Sequence, residues 1–120
     1  MPLPDLVEAV DTMTLAASMA KVDRTHARLQ RCRDSEWAVP AGHPDIDPRQ
    51  EALLLREALY ESCRHLDDAY DTRFKTWLSE AHRSARAIED ALLADDSKTA
   101  SSGFDILTGS CVRCHQAYRD

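Results

Sequence analysis

The sequence predicts an all-α domain, an antiparallel four-helix bundle with a long loop between its first two helices. Three observations carry this. The five prolines and three glycines gather at the N-terminus, within residues 40–48 and near the C-terminal end, leaving long uninterrupted stretches. Apolar residues in those stretches recur at spacings of three and four, the period of a helix. Local start signals bound several of the stretches. At 120 residues the chain makes one domain, residues 1–120, large enough for a modest core.

The first helix is expected over residues 3–33, with Pro2 and Pro4 at its start and Arg28, Arg31 and Arg33 favouring the C-terminal end of its dipole. Its apolar residues fall in two stripes. Leu3, Leu6, Val7, Val10, Met13 and Ala17 share one face; Leu15, Met19, Val22, His26 and Leu29 share another, roughly 140° away. Two stripes imply two burials, one toward the bundle core and one toward a partner subunit. Residues 34–47 form the loop, holding Pro40, Gly42 and Pro44.

Asp47-Pro48-Arg49-Gln50 then supplies an N-cap, a proline at the first helical position and a glutamine at the third. The second helix runs to about residue 66 and buries Leu54 or Leu55, Leu59 and Leu66. Residues 49–95 contain no Gly or Pro, so one continuous helix is the alternative to a break. Asp67, Asp68, Asp71 and Thr72 offer capping chemistry for a turn near 66–72. A third helix then carries Tyr70, Phe74, Trp77, Ala81, Ile88 and Leu92. Residues 95–102 read as a turn, and Ser102-Gly103-Phe104-Asp105 as a capping box opening the last helix. Phe104, Leu107, Cys111, Cys114 and Tyr118 follow along one apolar face.

On that face lies the most specific chemistry of the chain, Cys111-Val112-Arg113-Cys114-His115. C-x-x-C-H is the attachment pattern of a c-type haem. Two thiols almost a turn apart can add to the two vinyl groups of one porphyrin, and the adjacent imidazole can then take the iron. Other readings of the pair are poorer. A thioredoxin-like C-x-x-C needs a preceding buried strand, and a structural zinc needs a second, similarly spaced ligand pair. The expected cofactor is therefore one covalently attached haem c.

The net charge of −6 argues against nucleic acid or an anionic membrane as partner. No apolar run approaches the ~20 residues of a membrane span. Residues 1–20 carry Asp5, Glu8 and Asp11 where a signal peptide would be apolar. The haem motif nonetheless points to the periplasm, with a leader already removed.

The C-terminal residues resemble the cytochrome c-prime family, four-helix-bundle haem proteins with the attachment motif near the C-terminus. The likeness rests on Phe104, Gly109 and the run Cys111-Val112-Arg113-Cys114-His115-Gln116-Ala117-Tyr118-Arg119, about the last seventeen residues. Ordinary small cytochromes c carry the motif near the N-terminus with a methionine ligand downstream, and no Met follows Cys114 here. The resemblance implies that Cys111 and Cys114 hold the porphyrin and that His115 is the proximal ligand. It also sets Arg119 near the proximal face, where it either meets an approaching ligand or simply favours the helix dipole.

The sixth iron position decides the function. The resemblance implies that the N-terminal half of the first helix lies beside the haem, offering Met13, Leu15 and Met19. Methionine there gives a six-coordinate single-electron carrier working with redox partner proteins. An aliphatic residue such as Leu15 leaves an open iron that binds a small gas, NO or CO. Met at helical spacing is also ordinary core filler, so the choice stays open. Peroxidase-like turnover at an open iron is a weaker possibility, because no acid–base set stands out. His26 lies about 16 Å along the helix from Leu15, too far to serve the same iron, and no carboxylate can be assigned to the pocket. His43, His65 and His82 read as loop or surface residues.

Cys32 and Cys63 make an even pair that invites a disulfide, although antiparallel packing of the first two helices separates them. Trp37, Trp77, Tyr60 and Tyr70 read as core or interface aromatics. A homodimer through the first two helices completes the expectation.

Overall fold

The computed structural model describes the backbone of residues 3–64 and 72–118, and the side chains of residues 17–64 and 72–117. It is all-α, with four helices and no strand among the described residues: α1 (Leu3–Asp34), α2 (Pro48–Arg64), α3 (Thr72–Leu93) and α4 (Ser97–Tyr118). Each helix packs on the next in sequence. No helix among the described residues is long and apolar enough to cross a membrane.

In α1, the expected stripe is displaced sideways. The buried seam is Ser18, Val22, Thr25, Leu29 and Cys32, a 4-3-4-3 spacing that keeps one face inward. Val22 and Leu29 belong to both versions, but Met19 and His26 flank the seam, half-buried. Thr25 can enter it because its hydroxyl donates back to the Lys21 carbonyl at 2.7 Å, leaving no unpaired buried donor. The helix ends in a Schellman turn. Glu36 takes φ 57°, its amide donates to the Arg33 carbonyl at 3.0 Å, and the Trp37 amide reaches Cys32 at 2.7 Å. This turn brings Trp37 back over the helices, where its indole donates to Ser101 Oγ at 2.9 Å.

The expected cap of α2 is present. Asp47 Oδ1 accepts from the Arg49 amide at 3.0 Å, ahead of Pro48 at the first helical position. Leu55 and Leu59 are buried while Leu54 faces outward; Leu66 lies outside the described residues. Glu51 is buried too, its carboxylate accepting from Arg28 Nε at 2.8 Å. Because α2 and α3 are separate helices packed on one another, the single continuous helix is excluded. The expected turn, with Asp67, Asp68 and Tyr70, falls outside the described residues.

The start of α4 differs from the sequence reading. α3 closes in a second Schellman turn, with Asp95 at φ 56° and the Asp96 amide donating to Ala91 at 2.8 Å. Asp96 then caps α4 at once, accepting from the Thr99 amide at 3.1 Å and the Thr99 hydroxyl at 2.6 Å. Residues 97–102 are therefore helix, and Ser102-Gly103-Phe104-Asp105 is not a capping box. Gly103 serves packing instead: a Cβ there would stand 3.0 Å from Ile88 Cγ1. A glycine read as a start signal is a point of close packing of α4 on α3.

Candidate functional site

Phe104 and Leu107, both essentially inaccessible, anchor α4 and fix which face its last turns present. That face carries Cys111, packed against the core, and then Cys114 and His115. All three line one cavity of about 220 Å³. Met19, Val22, Asp23 and His26 close it from α1, Leu59 from α2, and Trp77, Leu78 and Ala81 from α3. The motif residues are thus brought together on one wall, as their spacing predicts, and the remaining walls are mostly apolar.

Burial sets the chemistry of the thiols. It pushes Cys111 up to about 11, with Cys114 and Asp23 adding to the effect. Burial also raises Cys114, against the pull of Arg113. Both thiols therefore stay neutral near pH 7, as befits groups on an apolar wall. Arg113, between the two cysteines, stacks on the Trp77 ring at 5.0 Å and pairs with Glu80 at 3.3 Å. Arg73 lies over the same indole at 5.1 Å. The motif is held to α3 by this cation–π arrangement, a contact of roughly 0.5–2 kcal/mol.

The closed end of the cavity is formed by α1 and α4. His26 Nε2 and Thr108 Oγ1 lie 2.9 Å apart, and the imidazole stacks on Phe104 with centroids at 4.8 Å. Trp37 meets the other side of Phe104 edge-on at 6.1 Å, and Arg33 pairs with Asp105 at 3.0 Å. Burial lowers the pKa of His26, opposed by Asp23.

The sequence reading needs correcting here. His26 lines the same cavity as the motif, and Asp23 places a carboxylate there. Spacing along α1 gave the reach from Leu15 correctly but not the register of α1 against α4. Among the distal candidates, Met19 lines the cavity. The side chains of Met13 and Leu15, and Arg119 altogether, lie outside the described residues.

Cys32 and Cys63 are both free thiols. Cys32 is fully buried in the α1 seam, and Cys63 shares a hydrogen bond with Ser79. The expected aromatics divide: Trp37 and Trp77 are partly buried, whereas Tyr60 is mostly exposed beside His82. Among the described residues no group of three or more His, Cys, Asp or Glu is arranged to hold a metal ion.

The donor set suits a c-type haem. Two neutral thiols and one imidazole face a shared apolar space, which is what double thioether attachment with a single protein ligand requires. The volume is below the ~300–1,000 Å³ usual for small-molecule sites, so part of a porphyrin would remain outside the cavity. No protein-family model, curated protein or solved structure matches this chain.

Proposed function

We propose that the chain is a monohaem c-type cytochrome of the cytochrome c-prime kind, periplasmic and homodimeric, built as an antiparallel four-helix bundle and acting as a single-electron carrier. The observation that carries this reading is the convergence of Cys111, Cys114 and His115 on one apolar cavity. Cys111 and Cys114 would hold the porphyrin through thioethers, and His115 would be the proximal ligand. A haem held this way supplies a one-electron iron couple.

Met19 favours electron transfer over gas binding. It is half-buried, lines the cavity opposite the motif's helix, and carries on a flexible stem the thioether that a six-coordinate haem iron would need. The rival reading, an open iron that binds NO or CO, draws on the apolar lining of Val22, Leu59, Leu78 and Ala81. A site of that kind excludes water and admits small uncharged ligands.

Optical spectra of the holoprotein with and without CO separate the two. A low-spin ferrous spectrum unmoved by CO, turning high-spin in Met19→Ala, is the expected result for the carrier. A high-spin ferrous spectrum that shifts with CO supports gas binding. Absence of a Soret band after maturation with haem-attachment machinery would remove both.

A further inference from the structure

His26 has no part in haem attachment, yet it lines the same cavity as the motif. We propose that His26 is a proton-holding residue of the redox site: it takes up a proton when the site is reduced and releases it when the site is oxidised. This rests on the haem reading above.

The geometry suits a group that changes charge without losing contacts. Thr108 faces His26 Nε2 at 2.9 Å. A hydroxyl can donate to a bare ring nitrogen or accept from a protonated one by rotating, so this hydrogen bond survives both states. Phe104 stacks against the imidazole at 4.8 Å with planes 19° apart, and its face attracts the cation more than the neutral ring. Asp23, one helical turn earlier on α1, also lines the cavity and favours the charged form. Burial opposes it. The two tendencies leave His26 below its ordinary value but still titratable.

The surrounding groups narrow the assignment. α2 contributes Leu59 to the cavity, and α3 contributes Trp77, Leu78 and Ala81, none of them titrating near neutrality. α4 contributes Cys111, Cys114 and His115, which attachment and ligation would occupy. Among the described residues, that leaves His26 and the carboxylate of Asp23, both on α1, as the other ionisable groups lining the cavity.

Adding an electron removes one positive charge from the site and makes protonation of His26 easier. The midpoint potential therefore falls as pH rises between the His26 pKa of the oxidised site and the higher one of the reduced site, and is flat on either side of that window. A tenfold difference in proton affinity between the two redox states corresponds to about 59 mV.

The test is the midpoint potential of the holoprotein between pH 4.5 and 8, compared with His26→Gln. Glutamine keeps a polar group for Thr108 but cannot titrate. The expected result is a pH-dependent potential in the parent and a flattened profile in the variant, with unchanged haem content and helicity. An identical slope in both would assign the proton elsewhere, to Asp23 or the haem's own carboxylates, and overturn the proposal. A flat profile in the parent would also overturn it. Should His26→Gln fold poorly, Thr108→Val supplies the second variant: loss of the hydroxyl should depress the pH at which the potential changes, and an unmoved profile counts against the role. Failure to obtain any haem-loaded protein would strike the haem reading itself rather than the role of His26.

Discussion

Helices α1 and α4 meet along one line that is built in two ways. Toward the C-terminal end of α1 the contact is filled: Phe104 between His26 and Trp37, with a hydrogen bond between His26 and Thr108, one from Trp37 to Ser101, and an ion pair from Arg33 to Asp105. Two turns further along α4 the same pair of helices encloses a cavity lined by Met19, Val22 and Asp23 on one side and Cys111, Cys114 and His115 on the other. The filled half buries a large aromatic and pairs the polar groups around it, Arg33 Nε excepted, which is how a core gains stability. The open half leaves van der Waals contacts unmade and holds neutral thiols on an apolar wall. The difference locates where the chain stores stability and where it keeps room for a ligand.

Phe104→Ala tests the filled half most severely. It removes a 1 %-exposed ring with its contacts to His26 and Trp37, and should cost about 3–5 kcal/mol in denaturant unfolding. A loss below about 1 kcal/mol would mean that Phe104 does not carry the contact.

The two glycines of α4 sharpen the comparison. Alanine at Gly103 would press on Ile88, which is fully buried. Overpacking of about 1–3 kcal/mol outweighs the gain of about 1 kcal/mol in helix propensity, so Gly103→Ala should destabilise slightly. Gly109 meets nothing within 4 Å of a built Cβ. There the propensity gain stands alone, and Gly109→Ala should stabilise by about 1 kcal/mol. Thermal melts of the two variants should shift in opposite directions; shifts of the same sign would contradict the close approach at Gly103.

The thiols extend the comparison to the protein before haem attachment. With Cys111 raised to about 11, its thiolate is scarce at pH 8, and alkylation should quicken about tenfold per pH unit toward that value. Stability follows the same groups. Cys32 and Cys111 both titrate near 11 when folded, against an ordinary value of 9, so the folded chain holds protons that the unfolded chain loses first. Their contribution is fully present below pH 9 and is lost as pH rises toward 11. Thioether formation removes Cys111 from this titration, so the attached protein should lose less stability across that window.

Much of the fold was legible because its signals are local. The cap at Asp47-Pro48 and the span of α1 depend on residues adjacent in sequence. The start of α4 was misread because Gly103 serves a neighbouring helix, and a one-dimensional pattern cannot tell a cap from a close approach. Ser18, Thr25 and Cys32 escaped the core reading because small or hydroxylated residues carry little apolar signal, although Thr25 pairs its hydroxyl within its own helix. The convergence of Cys111, Cys114 and His115 on one wall was legible because C-x-x-C-H is itself local. His26 and Asp23 were not, since their place depends on the register between helices that are distant in sequence. Periodicity within α1 names the faces but not the height at which each meets α4.

Covalent attachment is the central claim, and the mass of the intact, denatured protein tests it most directly. After co-production with haem-attachment machinery, the chain should gain the mass of one haem and keep its Soret absorbance through denaturing separation. Cys111→Ala combined with Cys114→Ala should lose both. An unmodified mass in the parent, or haem that washes away on denaturation, would contradict the account and leave the cysteine pair to thiol or zinc chemistry.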